Sequence, residues 1–320
     1  MNLYPLKFRP LLKQTIWGGE KIKTFKHLDA APDHVGESWE ISGVKGSESV
    51  IANGPLAGEK LPEAIGKYGS RLVGERVYKC FGDLFPLLIK FIDANADLSI
   101  QVHPDDSLAM KRHGTLGKTE MWYVLDTLPG AKIRSGFSRP VGKEEYLRLV
   151  EENRITDVIN AFDSRPGDIY YLPAGRLHAI CAGNFLVEIQ ETSDITYRVY
   201  DYNRLDKNGK PRELHTKEAV DAIDYTYYPD CYGGSTRGIA GDTRLVKSDY
   251  FDVTRLVIDG TEEVKAAPGS FTIIIPIEGE GTLEADGEKT AARAGESILV
   301  PAEISDFRLE GKMKALRVNL

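Results

Sequence analysis

Cysteine is scarce in this chain of 320 residues: Cys80, Cys181 and Cys231 are odd in number and form no CxxC pair. That excludes a disulfide framework and a thiolate zinc site, and it fits a reducing compartment. Long apolar runs are also missing. The stretch from Leu84 to Ile92 is broken by Pro86 and Lys90 and is far too short to span a bilayer. The N-terminal residues MNLYPLKFRPLLKQTIWGGE hold no apolar segment followed by a small-residue cleavage site, so a cytoplasmic protein is expected, with no membrane partner. Excess positive charge is absent too. At a net charge of −7 a general nucleic-acid binder is excluded, and a phosphorylated ligand has to be drawn by a local basic cluster.

What is present is turn and strand chemistry. The chain carries 31 glycines and 15 tyrosines, as expected for many short strands joined by tight turns. FPLLIKFI, SIQVHP and EMWYVLDTL read as strands. DDSLAMKRHG reads as a short helix capped by Asp105 or Asp106 and stopped near Gly114. The segment 142–162 has Leu and Ile at helical spacing and predicts one or two helices, and TKEAVDAI a further short one. PGDIYYLPAG, RLHAICAG and NFLVEIQETSD predict three successive strands, and from about Thr243 onward nearly everything is strand-like. Two stretches echo each other. RPGDIYYLPAGRLHAI and RAGESILVPAEISDFRL share the order R-x-G-acidic-x-x-x-x-P-A, which predicts two related barrels. The second has Ile304, Ser305 and Asp306 around the place where the first has His178, so its metal site is expected to be absent.

Four residues carry the metal chemistry. Gln101 and His103 are two apart in a strand-like segment and so share a face. Glu120 opens the next long strand, and His178 follows the Pro173-Ala174-Gly175 turn. A single Q-x-H pair is a weak signal; the P-A-G-x-x-H setting of His178 and the added carboxylate strengthen it. Two imidazoles, one carboxylate and one amide oxygen suit zinc and also accept iron, manganese or cobalt. His113 competes as a ligand but reads as an exposed helix-end residue, and His27, His34 and His215 have no partner that spacing identifies. The segment RVYDYNRLDKNGKPR, 198–212, holds five basic and two acidic residues in an otherwise acidic chain, which suits an anionic substrate. Arg198 and Arg204 are the candidates there, while Lys207 and Lys210 read as solvated loop charges.

FPLLIKFIDANADLSIQVHPDD, GKTEMWYVL, LPAGRLHAI and EIQETSDITYRVYDYNR closely resemble the type I mannose-6-phosphate isomerases in their short bacterial form. WGGEKI and GESWEIS, containing Trp17 and Trp39, resemble that family too. The resemblance implies a mainly β chain of two cupin-type (jelly-roll) β-barrels with a few short helices between strands. Residues 1–240 would form the catalytic metal-binding unit and 241–320 a degenerate cupin-like one. It also implies one catalytic Zn2+ per chain and interconversion of mannose 6-phosphate with fructose 6-phosphate. By position the zinc ligands fall on Gln101, His103, Glu120 and His178, the set that spacing suggested. Ser99 and Lys118 match pocket-lining residues, Glu188 and Asp194 acidic pocket residues, and Arg198 the arginine assigned a catalytic role. Arg204 falls where larger members carry a lysine.

Isomerisation through a cis-enediol needs a proton shuttle, an electrophile for the oxyanion and an anchor for phosphate. Lys118, two residues before Glu120, shares its strand face and is a candidate for the base or for a cation that binds phosphate. Glu188 and Asp194 can orient Arg198 or Lys118, or act in ring opening. Two other readings stand beside the isomerase: a metal-dependent cupin oxygenase, against which the amide ligand argues, and a non-catalytic sugar-phosphate-binding module. A monomer or weak homodimer is expected.

Overall fold

The computed structural model describes residues 1–205 and 209–320, so Lys207 lies outside the described residues. The chain is mainly β, as expected, and its sheets face one another as sandwiches, open and not closed into barrels. A seven-stranded sheet runs in the order Gly234–Ser235, Asp168–Leu172, Glu120–Thr127, Asn184–Glu191, Leu87–Ala94, Val35–Ser42, Leu11–Gly19. A five-stranded sheet faces it, ordered Tyr197–Tyr200, Ile100–Val102, His178–Ile180, Lys132–Phe137, Ile159–Asp163.

The two central strands of the larger sheet, Leu87–Ala94 and Asn184–Glu191, are buried along their whole length. The reason is that the sheet is covered on both faces. Phe91, Val187, Ile189 and Met121 point to one side, into a core shared with Phe271, Ile273 and Val318 of the C-terminal region and with Leu61 and Leu72 of the N-terminal helices. Ile92, Trp122 and Leu186 point to the other side and meet Ile133 and Ile180 of the five-stranded sheet. A residue's parity along the strand therefore decides which core it enters.

The C-terminal strands Asp252–Lys265, Thr272–Ala285 and Asp306–Asn319 are each 14 residues long. They pair where Gly260, Gly281 and Gly311 lie side by side. A Cβ on Gly281 would come within 2.4 Å of the Glu310 carbonyl oxygen, so only glycine allows this close crossing. The N-terminal strand Leu6–Arg9 pairs with Ile298–Val300 and joins the C-terminal sheet.

The helix read over 142–162 spans Lys143–Glu151 with a short turn at Ile155–Val158, and the final residues, Ile159–Asp163, are a strand instead. Pairing with Lys132–Phe137 decides this, and the Asn160 side chain donates to the Phe137 carbonyl at 2.9 Å. The helix Asp106–His113 forms as read, with Asp105 as cap and Gly114 in the left-handed conformation at its end.

The sequence echo is structural. In one turn the Arg165 N–H donates to Asp168 at 2.8 Å; in the other the Arg293 N–H donates to Glu296 at 3.0 Å. After each, a proline carbonyl accepts from the residue three on, Arg176 or Ile304. A new strand then begins at His178 in one copy and at Asp306 in the other.

Candidate metal centre and adjoining cavity

The inner faces of the two sheets present one row of side chains each. Across the larger sheet, Trp39, Lys90, Glu188, Trp122 and Tyr170 are successive cross-strand neighbours. Across the smaller sheet the row is Arg198, Gln101, His178 and Ser135. Cross-strand neighbours project to the same side, so these rows confront each other over the gap between the sheets. Ile100 and Val102, of opposite parity to Gln101, pack into the hydrophobic core behind.

His103, Glu120 and His178 bring one ligand atom each to within 4.8 Å of one another, and all three are buried. His103 Nδ1–H donates to the Ile195 carbonyl at 2.8 Å and His178 Nδ1–H to the Arg176 carbonyl at 2.9 Å. These bonds set the tautomers, leaving both Nε2 lone pairs aimed at Glu120. Burial first, then the charge of Lys118, drives the His178 pKa down to about 3 and that of His103 well below its ordinary value. Both rings are therefore neutral. His178 Nε2 lies 3.2 Å from Glu120 Oε1, and neither atom has a hydrogen-bond partner among the described residues. Two acceptors facing one another at this distance in a buried interior, with Lys118 paired on the far side at Glu120 Oε2 and His103, are unfavourable unless a cation lies between them. Two imidazoles and a carboxylate fit a divalent transition metal, and Gln101, opposite His178 in register, can add its amide oxygen.

Lys118 Nζ lies 2.7 Å from Glu120 Oε2, 3.2 Å from His103 Nε2 and 3.8 Å from Glu188. Glu188 accepts from Lys90 at 2.9 Å and from the Trp122 indole N–H at 2.8 Å. Burial pushes the Glu188 pKa up, but Lys118 and Lys90 overcome it and keep this carboxylate ionised. For Glu120 burial and Glu188 win over Lys118, and its pKa is raised. Lys90 is held charged in turn: burial works against the charge, and Glu188 and Glu37 outweigh it.

A cavity of about 560 Å³ opens from this centre. Ser99, Gln101, Lys118, Glu188, Asp194 and Arg198 all line it, and Trp17 closes one wall. Asp194 is exposed and Ser99 is buried. Arg198 Nη1 donates to the Glu213 carbonyl at 2.9 Å, while its Nε finds no partner among the described residues. Arg204 is not in the lining; it pairs with Asp201, bonds the Asp97 carbonyl and lies 5.4 Å over the Tyr202 ring. Lys210 is exposed, and His113 is exposed and bonded to the Tyr197 hydroxyl.

Sequence reading passed over four residues here. Lys90 and Glu37 line the cavity beside Glu188, and Arg212 lines it beside Arg198, ion-paired to Asp201. His215 Nδ1 accepts from the Arg198 backbone N–H at 3.1 Å. Lys90 offered one signal, a charge in the middle of an apolar strand. Trp39 lies under Lys90 at 5.1 Å and donates its indole N–H to Glu37.

Comparison with known proteins places the chain. The family model "Phosphomannose isomerase type I, catalytic domain" matches residues 6–124, and "Mannose-6-phosphate isomerase, cupin domain" matches residues 241–320. The mannose-6-phosphate isomerase ManA of Bacillus subtilis (strain 168) is 35% identical over 323 residues, covering 100% of both chains. A mannose-6-phosphate isomerase of Streptococcus mutans serotype c is 31% identical over 315 residues, covering 98% of this chain and 97% of that one. The crystal structure of a mannose 6-phosphate isomerase from Bacillus subtilis superimposes with a TM-score of 0.89 at 36% identity, covering 99% of this chain and 100% of that one. The chain belongs to the type I mannose-6-phosphate isomerase family.

Proposed function

We propose that this chain is a zinc-dependent aldose–ketose isomerase that interconverts mannose 6-phosphate and fructose 6-phosphate through a cis-enediol. The observation that carries the reading is the convergence of His103, Glu120 and His178 beside a cavity lined by Lys118 and Arg198. Gln101, His103, Glu120 and His178 would hold the zinc. Bound there, zinc supplies a Lewis acid for the sugar oxygens at C1 and C2.

The chain's own side chains do the rest. Arg198, joined by Arg212, gives the cavity two guanidinium groups suited to a phosphate. Ser99 and Asp194 contribute polar contacts to the sugar hydroxyls. The base removes the proton from C2 of the open-chain aldose as O1 takes one up, giving the cis-enediol. Return of a proton to C1 with loss of the O2 proton gives the ketose. Lys118 is the group we assign to this shuttle, because its Nζ lies at the metal end of the cavity. Glu188, fixed by Lys90 and Trp122, orients Lys118 and balances its charge.

Arg204 supports the substrate end indirectly, through Asp201, which it shares with Arg212. Residues 1–240 form the catalytic unit and 241–320 a degenerate cupin unit. The partner is a small phosphorylated sugar, with no nucleic acid or membrane, in a cytoplasmic monomer or weak homodimer.

The test is incubation of the purified protein with mannose 6-phosphate and detection of fructose 6-phosphate. Turnover is expected, abolished by chelation and restored by zinc. No product from mannose 6-phosphate with zinc supplied would overturn the reading.

A further inference from the structure

The motifs QVHPDD and GKTE supply metal ligands through His103 and Glu120, yet they also contain residues that chemistry leaves unused: Asp105, Asp106 and Gly117. Asp105 has an ordinary task, accepting from the Leu108 N–H at 2.8 Å as the helix cap. Asp106 is not needed for that cap. Its carboxylate reaches the other motif instead and accepts from the Gly117 N–H at 2.8 Å.

The two motifs touch backbone to backbone at this point. A Cβ on Gly117 would lie 2.6 Å from both the Asp105 carbonyl carbon and the Asp106 nitrogen, so nothing larger than glycine allows the approach. The Lys118 N–H donates to the Pro104 carbonyl at 3.1 Å. The Thr119 N–H donates to Glu191 Oε2 at 2.7 Å, and the Glu191 N–H returns a bond to the Thr119 carbonyl at 3.1 Å. Three consecutive amides, those of residues 117, 118 and 119, are therefore each held from outside their own strand.

We propose that Asp106 and Glu191 are a pair of positioning residues that grip the backbone on either side of Lys118 and so fix its ammonium against Glu120 and the mouth of the metal centre. Glu191 is 4% exposed and meets the Asp106 carboxyl as well as Thr119. Burial and that second carboxyl push its pKa up to about 8. With its proton retained, Glu191 can donate to Asp106 while Oε2 accepts from the Thr119 N–H. The grip is thus a closed chain from Gly117 through Asp106 and Glu191 to Thr119. A lysine that moves a proton between adjacent carbons has to be held to within a fraction of an ångström, and the flexible side chain cannot supply that by itself.

This inference rests on the reading of Lys118 as a working group of the isomerase. Its test is steady-state kinetics on the metal-loaded full chain with mannose 6-phosphate. Glu191→Ala is expected to lower kcat by about 10-fold to 100-fold with KM changed by less than about 3-fold. Metal content should be unchanged. Glu191→Gln, whose amide accepts from Thr119 and donates to Asp106, is expected to restore kcat to near the wild-type value. Asp106→Ala, with the Asp105 cap intact, should lower kcat as Glu191→Ala does, and it keeps the test decisive if the more buried Glu191→Ala fails to fold. Wild-type kcat in Glu191→Ala or Asp106→Ala overturns the grip, and so does a Glu191→Gln variant as slow as Glu191→Ala. A wild-type protein that does not isomerise mannose 6-phosphate overturns the reading of the site instead, so the two failures are separable.

Discussion

Two turns in this molecule start from the same scaffold and end in opposite chemistry. Arg165 to His178 and Arg293 to Asp306 share an arginine whose N–H is held by an acid three residues on, then a proline turn, then a strand that begins five residues after the proline. In the first copy the strand opens with His178, buried against Glu120. In the second it opens with an exposed Asp306, and the interior beneath it is filled by Leu256, Leu283, Phe307, Leu309 and Met313. The hairpin is thus a fold device. Which side chain stands at its last position, and what lines the interior, decides whether a cation can be held.

The comparison can be broken or sharpened experimentally. The largest effect is expected from His178→Ala, which removes one of the three groups that could hold a cation, with no spare imidazole in that cluster among the described residues. Its activity should fall by at least about 100-fold, beyond the loss that follows removal of an outer partner of a ligand. Assay of the purified variant with metal in excess checks this. Leu309→Ala acts on the other copy: this fully buried side chain fills the apolar interior, and its loss should cost about 2–5 kcal/mol in denaturant unfolding with measured metal content equal to that of the wild type.

A smaller effect concerns pH. Glu191, facing Asp106, Tyr171 and Tyr250, has its pKa raised from 4.5 to about 8 in the folded chain. Between those values the folded state keeps a proton that the unfolded chain has released, so this contribution is full below about pH 4.5 and is lost as pH rises through 8. Glu191→Gln cannot ionise. Its Tm relative to wild type should therefore rise between about pH 5 and about pH 8, measured as paired thermal melts. The smallest effect is expected from Asp306→His. Placing the imidazole at the equivalent turn should add no metal binding, because the neighbouring side chains are apolar and offer no second ligand.

The same contrast explains what could be read without coordinates. Strand parity and the Pro-Ala-Gly turn expose Gln101, His103 and His178, because those signals are local. The degenerate second turn was visible for the same reason. Lys90 was not legible as a site residue, since its partner Glu188 is 98 residues away and only sheet pairing brings the two together. The strand Ile159–Asp163 was hidden too, because its residues continue a helical spacing and the decision lies with Lys132–Phe137. Pairing of Leu6–Arg9 with Ile298–Val300 joins the two ends of the chain, and no local pattern carries that. Arg204 and Arg212 look alike in the sequence; the structure puts only Arg212 in the cavity, while both share Asp201.

Elemental analysis of the purified, active protein tests the cation among His103, Glu120 and His178 most directly. One divalent ion per chain is expected in the wild type and none after His178→Ala. Full activity in a protein that holds no stoichiometric metal would contradict it.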